Sequence, residues 1–202
     1  MRRECFVTIG ATAKFEDLVA AAVSEQTLIK LKELGYTHLT VQVGDLEDYF
    51  KQIRPQDTKG IIVQHFTFDK DGLAHYMKKC KANPGPDGGS INGFTPSEEG
   101  LIICHAGSGT ILDGMRFGVP LIVVPNDSLL DNHQDELADE LEAQGYVTKG
   151  SPKNLAEAID RATIRSRRSW GHSSSKRGNF AALVDETTPW NLQEDDAKSR
   201  YD

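Results

Sequence analysis

The sequence predicts an α/β fold, a Rossmann-like and mostly parallel sheet with flanking helices. Three observations carry that reading. Short apolar, β-rich runs recur along the chain, and segments of helical length separate them. Alternation of this kind favours a parallel sheet, because each parallel strand needs a crossover long enough to hold a helix. The chain also has 202 residues, which suits one domain with a core of its own.

The elements follow in order. Residues 5–9 (CFVTI) read as the first strand, and residues 15–34 as an amphipathic helix stopped by Gly35. Residues 38–43 (HLTVQV) form a second strand, ended by Gly44-Asp45, and residues 60–66 (GIIVQHF) a third, after a loop around Pro55. A short helix is expected over about 71–80. The runs 101–104 (LIIC) and 121–124 (LIVV) are bounded strands, and the segment between them suits a helix. Two more helices read from 131–143 and 152–165. Residues 81–99 (KANPGPDGGSINGFTPSEE) are dense in Gly, Pro, Asn and Ser, and read as a long loop insertion. This divides the chain into a domain over 1–165 and a C-terminal tail over 166–202, the tail partly helical.

Composition excludes several classes. The net charge of −7 argues against a nucleic-acid binder, and an anion would have to be held by local amides instead of a global positive field. No window approaches the ~18 apolar residues of a membrane span, and the N-terminal MRRECFVTIG lacks a signal-peptide core. Cys5, Cys80 and Cys104 are odd in number and show no paired spacing, as expected for reduced thiols. The expectation is a cytoplasmic protein.

The segment LIICHAGSGTILDGMRFG, residues 101–118, carries the chemistry. A buried strand runs into His105-Ala-Gly-Ser-Gly-Thr110, and a helix then begins. Small residues at Gly107, Ser108 and Gly109 allow close backbone approach, and amides at a helix start can hold a phosphate. Thr110 adds a hydroxyl, and Asp113 lies one turn on, where it could accept from a ribose diol. Leu112 occupies the third glycine position of a dinucleotide fingerprint, and the chain contains no G-K-[ST] of a Walker loop. Ala106 and Thr110 flank Ser108 where a nucleophile elbow needs glycines. The alternative to an anion site is a Gly-rich turn required only by packing. Asp113 would also suit the helix dipole alone, and Gln134 would serve equally as the last residue of an Asp131-x-x-Gln134 capping box.

His105-Ala-Gly-x-Gly-Thr, Asp113, Gly118-Val-Pro120, LIVVP and Asp131-Asn-His-Gln134 fall in one order and spacing. Together they resemble the donor-nucleotide signature of GT-B glycosyltransferases, including bacterial MurG and plant UDP-glycosyltransferases. HAGSGTILDGMRFGVPLIVVPN followed by LLDNHQDELADELEAQGY is more narrowly similar to the catalytic subunit of a two-part enzyme. That enzyme adds the second GlcNAc to dolichol-diphosphate-GlcNAc. The opening VTIGATAKFEDLV fits the same family, and the resemblance spans about residues 4–165.

The resemblance implies the C-terminal, donor-binding domain of a GT-B enzyme. Gly107, Ser108, Gly109 and Thr110 would hold the diphosphate of UDP-GlcNAc, with His105 beside it. Asp113 would bind ribose, His133 and Gln134 would read the sugar, and Gly10, Ala11 and Thr12 would form the facing loop. No metal and no cofactor are implied. A membrane-anchored, acceptor-binding subunit would supply the lipid-linked acceptor and the general base, recruiting the chain to the cytosolic face of the endoplasmic reticulum. No residue of this chain stands out as that base. A non-catalytic nucleotide-sugar-binding module is the alternative, and a stand-alone transferase or UDP-sugar epimerase a third reading. The basic run of Arg161, Arg165, Arg167, Arg168, Lys176 and Arg177, with Trp170, Phe180, Leu183, Val184 and Trp190, makes the tail a candidate partner-docking segment.

Overall fold

The structure is a computed structural model that describes residues 1–10, 14–84, 96–128 and 133–169. The first half contains β1 (Glu4–Thr8), α1 (Glu16–Ala22), α2 (Glu25–Glu33), β2 (His38–Gln42), α3 (Glu47–Ile53), β3 (Ile62–Phe66) and α4 (Ala74–Lys79). The second contains β4 (Leu101–His105), α5 (Ser108–Arg116), β5 (Leu121–Val124), α6 (His133–Ala143), β6 (Thr148–Lys149) and α7 (Leu155–Ser169).

Among the described residues the strands form one six-stranded sheet in the order β3-β2-β1-β4-β5-β6. Every pairing is parallel. Helices cover both faces, so the central strands are buried throughout, as in ECFVT of β1 and LIVV of β5. Alternate residues divide between two cores. Cys5, Val7, Leu39, Val41, Leu101, Ile103, Ile122 and Val124 face Leu18 of α1, Leu28 and Leu31 of α2, Phe50 of α3 and Ile159 of α7. Phe6, Ile102, Cys104, Leu121 and Val123 face Met77 of α4, Ile111 of α5 and Leu141 of α6. The chain winds outward from β1 to β3 and then returns to β4 on the other side of β1. That reversal opens a crevice beyond the carboxyl ends of β1 and β4, the ligand position in doubly wound sheets.

The predicted sheet and alternation are present, with differences at particular elements. The helix expected over residues 15–34 is two helices. Ser24 interrupts it as an N-cap, its hydroxyl accepting from the Thr27 N–H at 3.3 Å. Helix α3 and strand β6 were not foreseen. Phe50 is the one fully buried side chain of α3, too little for a visible apolar period, and β6 has only two residues. The third strand starts at Ile62, because Lys59 and Gly60 form a turn with φ of 55° and 80°. Within the expected 81–99 loop, Asn83 and Ser97 pair across an antiparallel bridge, while 85–95 lie outside the described residues. Helix α7 continues past 165 to Ser169, and the rest of the predicted tail lies outside the described residues. No described helix is long and apolar enough to cross a membrane.

Candidate functional site

The crevice is built from the exits of β1 and β4. Gly107 is the N-cap of α5, in an extended conformation (φ −85°, ψ 126°), and its carbonyl accepts the Ile111 N–H at 3.0 Å. A glycine cap has no side chain to receive the first-turn amides. The N–H groups of Ser108, Gly109 and Thr110 therefore meet the crevice without a side-chain cap, at the positive end of the helix dipole. Such an end suits a phosphate.

Three glycines that look alike in sequence do different things. A methyl at Gly107 would run into Nε2 of His105 and lie 3.0 Å from its Cδ2 and Cε1. One at Gly10, where φ is +78°, would run into Cε1 and lie 2.7 Å from Nε2. The Nε2–Cε1 edge of the imidazole thus packs against both Gly10 and Gly107. Gly109 is the opposite case, because an added methyl there meets nothing within 4 Å. Glycine in a helix costs about 1 kcal/mol relative to alanine. At Gly109 no contact within the described chain requires it.

Burial pushes the His105 pKa down, so the ring is neutral at neutral pH, and its Nδ1 is buried without a hydrogen-bond partner. Beneath Gly10, the Thr8 hydroxyl accepts the Gly10 N–H at 3.2 Å and donates to Oε1 of Gln42. Asp113 stands one turn into α5 with its side chain 58 % exposed, and Arg116 Nη1 donates to its carboxylate at 3.2 Å.

Of the residues predicted from sequence, Gly10, His105, Gly107, Ser108, Gly109 and Thr110 meet at this crevice, and Asp113 follows on the same helix. Ala11 and Thr12 lie outside the described residues, as does Asp131 of the expected capping box. Gln134 is used inside the chain, its Oε1 accepting the Asn126 N–H at 3.0 Å. His133 is exposed at the start of α6, with Nδ1 3.6 Å from a Glu136 carboxylate oxygen. Asn126 carries no role in the sequence reading. Yet its amide donates to the Lys14 carbonyl at 3.3 Å and its oxygen accepts from the Ser128 hydroxyl at 2.7 Å. It therefore ties the β1 exit to the β5 exit, while Gln134 ties both to α6. Asn-Asp-Ser after a strand is the available signal, since asparagine there caps its own turn.

A doubly wound parallel sheet with an uncapped helix at its switch point defines the chain as a Rossmann-like domain of the nucleotide-binding type. Residues 96–187 match the glycosyltransferase family 28 C-terminal domain. MurG from Acinetobacter baumannii superposes with a TM-score of 0.52 at 16% identity, over 92% of this chain and 50% of MurG, a likeness of fold. The UDP-N-acetylglucosamine transferase subunit ALG13 of Kluyveromyces lactis is 34% identical over 179 residues, covering 80% of this chain and 87% of that protein. ALG13 of Saccharomyces cerevisiae is 32% identical over 157 residues, 73% of this chain and 77% of that one. The solution structure of ALG13 matches with a TM-score of 0.57 at 25% identity, over 92% and 96% of the two chains. The chain belongs to the family of UDP-N-acetylglucosamine transferase subunits ALG13, and is a glycosyltransferase subunit.

Proposed function

We propose that this chain is the donor-binding, catalytic subunit that transfers GlcNAc from UDP-GlcNAc to dolichol-diphosphate-GlcNAc, forming a β-1,4 bond in N-glycan precursor synthesis. The observation that carries the reading is the uncapped start of α5 at the switch point, with Gly109 open in front of it. The amides of residues 108–110 bind the diphosphate and stabilise UDP as the leaving group, which supplies transition-state stabilisation without a metal. His105 adds a neutral hydrogen bond. Asp113 receives the ribose hydroxyls, exchanging its exposed contact with Arg116 for them. His133 and Gln134 stand at the sugar end, and the loop of Gly10, Ala11 and Thr12 closes the opposite side.

The acceptor side lies on a second, membrane-anchored subunit, which also holds the general base. At this crevice the titrating side chains are a desolvated, neutral histidine and a surface carboxylate, both placed with the donor loop. Residues 1–165 form the nucleotide-sugar-binding domain, and residues 166–202 dock the partner at the cytosolic face of the endoplasmic reticulum. The test is transfer of labelled GlcNAc to a dolichol-type acceptor by the purified chain and by its complex with a co-purifying membrane protein. The complex should turn over and the chain alone should not. Robust turnover by the isolated chain sinks the half-enzyme reading, and a silent complex that still binds UDP supports a regulatory module instead.

A further inference from the structure

Beneath the crevice a row of contacts crosses the carboxyl ends of three adjacent strands. Gln42 ends β2, Thr8 ends β1 in register with it, and His105 ends β4. Thr8 is fully buried and Gln42 is 3% exposed, so the Thr8 hydroxyl does not reach solvent to find another partner. The Thr8 hydroxyl donates to Gln42 and accepts the Gly10 N–H at 3.2 Å. Gly10 in turn lies against Cε1 and Nε2 of the His105 ring, and Gly107 meets the same ring at Nε2. A valine in place of Thr8 would fill the same space in the core, so packing alone does not ask for a hydroxyl there. What the hydroxyl supplies is one acceptor for a backbone N–H in a turn with positive φ, directly against the ring.

We propose that Thr8, backed by Gln42, is a positioning residue for the donor site: it holds Gly10 against the His105 ring, and the ring sets the separation between Gly10 and the phosphate-facing start of α5. The Nε2–Cε1 edge of the ring lies against both positions, which explains why both are glycine, while nothing within 4 Å restricts Gly109. The relay rests on the reading of this crevice as the donor site only for its effect on nucleotide affinity. Its effect on the ring is independent of that reading.

The test uses the full chain with three variants, Thr8→Ser, Thr8→Val and Gly109→Val. Two quantities are measured, the His105 titration by side-chain NMR and the dissociation constant of UDP. Thr8→Val should release Gly10, let water reach the ring and raise the His105 pKa toward the solvent value of about 6.5. It should also weaken UDP about tenfold, the effect of losing roughly one hydrogen bond's worth of order. Thr8→Ser, which keeps the hydroxyl, should leave both near wild type. A Thr8→Val protein with unchanged His105 titration overturns the relay, and so does a Thr8→Ser protein as impaired as Thr8→Val. If Gly109→Val leaves UDP binding intact, the donor reading fails, and the His105 titration still decides the relay.

Should Thr8→Val not fold, Gly107→Ala answers through its own contact with the ring. Its methyl should lower UDP affinity and the melting temperature in the wild-type background, and should do neither when His105 is also alanine. An equal loss in both backgrounds overturns the relay.

Discussion

The two ends of the central strands handle polar groups in opposite ways. At the amino ends the buried charges of Arg3 and Glu4 are enclosed by partners. Glu4, 1% exposed, accepts from Arg2 at 2.7 Å and from the Thr40 hydroxyl at 2.6 Å. Arg3 donates to the Leu34 and Glu99 carbonyls and lies 4.3 Å above the Tyr36 ring. At the carboxyl ends, among the described residues, the first-turn amides of α5 have no side-chain cap, and the buried Nδ1 of His105 has no partner. The same sheet thus satisfies its polar groups at one end and leaves some unsatisfied at the other. Mutations at the two ends should separate cleanly into stability and affinity.

The largest effect should come from the closed end. Arg3→Met leaves two part-buried carbonyls without their donor and loses the stacking on Tyr36. Urea unfolding should show a loss of about 3 kcal/mol, while UDP affinity of the folded fraction stays unchanged. A loss under ~1 kcal/mol would mean that water replaces the guanidinium, and the closed end would be less closed than its geometry implies.

At the open end, Gly109→Val should give the reverse pattern. Donor affinity in the complex should fall about a hundredfold, or ~2.7 kcal/mol, with no drop in the urea midpoint. A Cβ added at Gly109 meets no atom of the described chain within 4 Å. A stability loss with intact binding would make this loop structural. Asp113→Ala should be milder, about tenfold in donor affinity with kcat preserved, because one hydrogen bond from a diol to a carboxylate is removed. No change would leave Asp113 as a partner of Arg116 and the helix dipole.

The smallest effect is with pH. Burial lowers the pKa of His38, His65 and His105, and nearby Arg2 and Arg54 lower the first two further. A histidine held below its unfolded value of about 6.5 binds fewer protons folded than unfolded. Its stabilising contribution is complete above that pH and declines as pH falls through the window below it. Glu47, Asp57 and Asp69 are held below the ordinary carboxylate range and stay charged there. The urea midpoint should therefore decrease from pH 7.5 to 5.5, with a shallower slope in His105→Ala. A flat profile would mean that His105 is already solvated.

The strands and the helix that starts in HAGSGT were legible because periodicity and local turn chemistry act over a few residues. Composition likewise limited the classes of ligand through net charge. Other features depended on contacts far apart in sequence. The break at Ser24 comes from a cap that competes with an apolar pattern running straight through it. Asn126 takes its meaning from Lys14, 112 residues away. The two glycines around His105 look from the sequence like phosphate-loop residues, and only the pairing of β1 with β4 brings Gly10 against a ring about 95 residues downstream. By itself the sequence determined the kind of chain, an α/β domain with a glycine-led helix start after its fourth strand, because helix and strand periods and a glycine-rich turn are local properties. Which glycine packs against protein and which stays clear of it was decided only when the parallel sheet set β1 beside β4, since steric exclusion depends on what lies across the crevice.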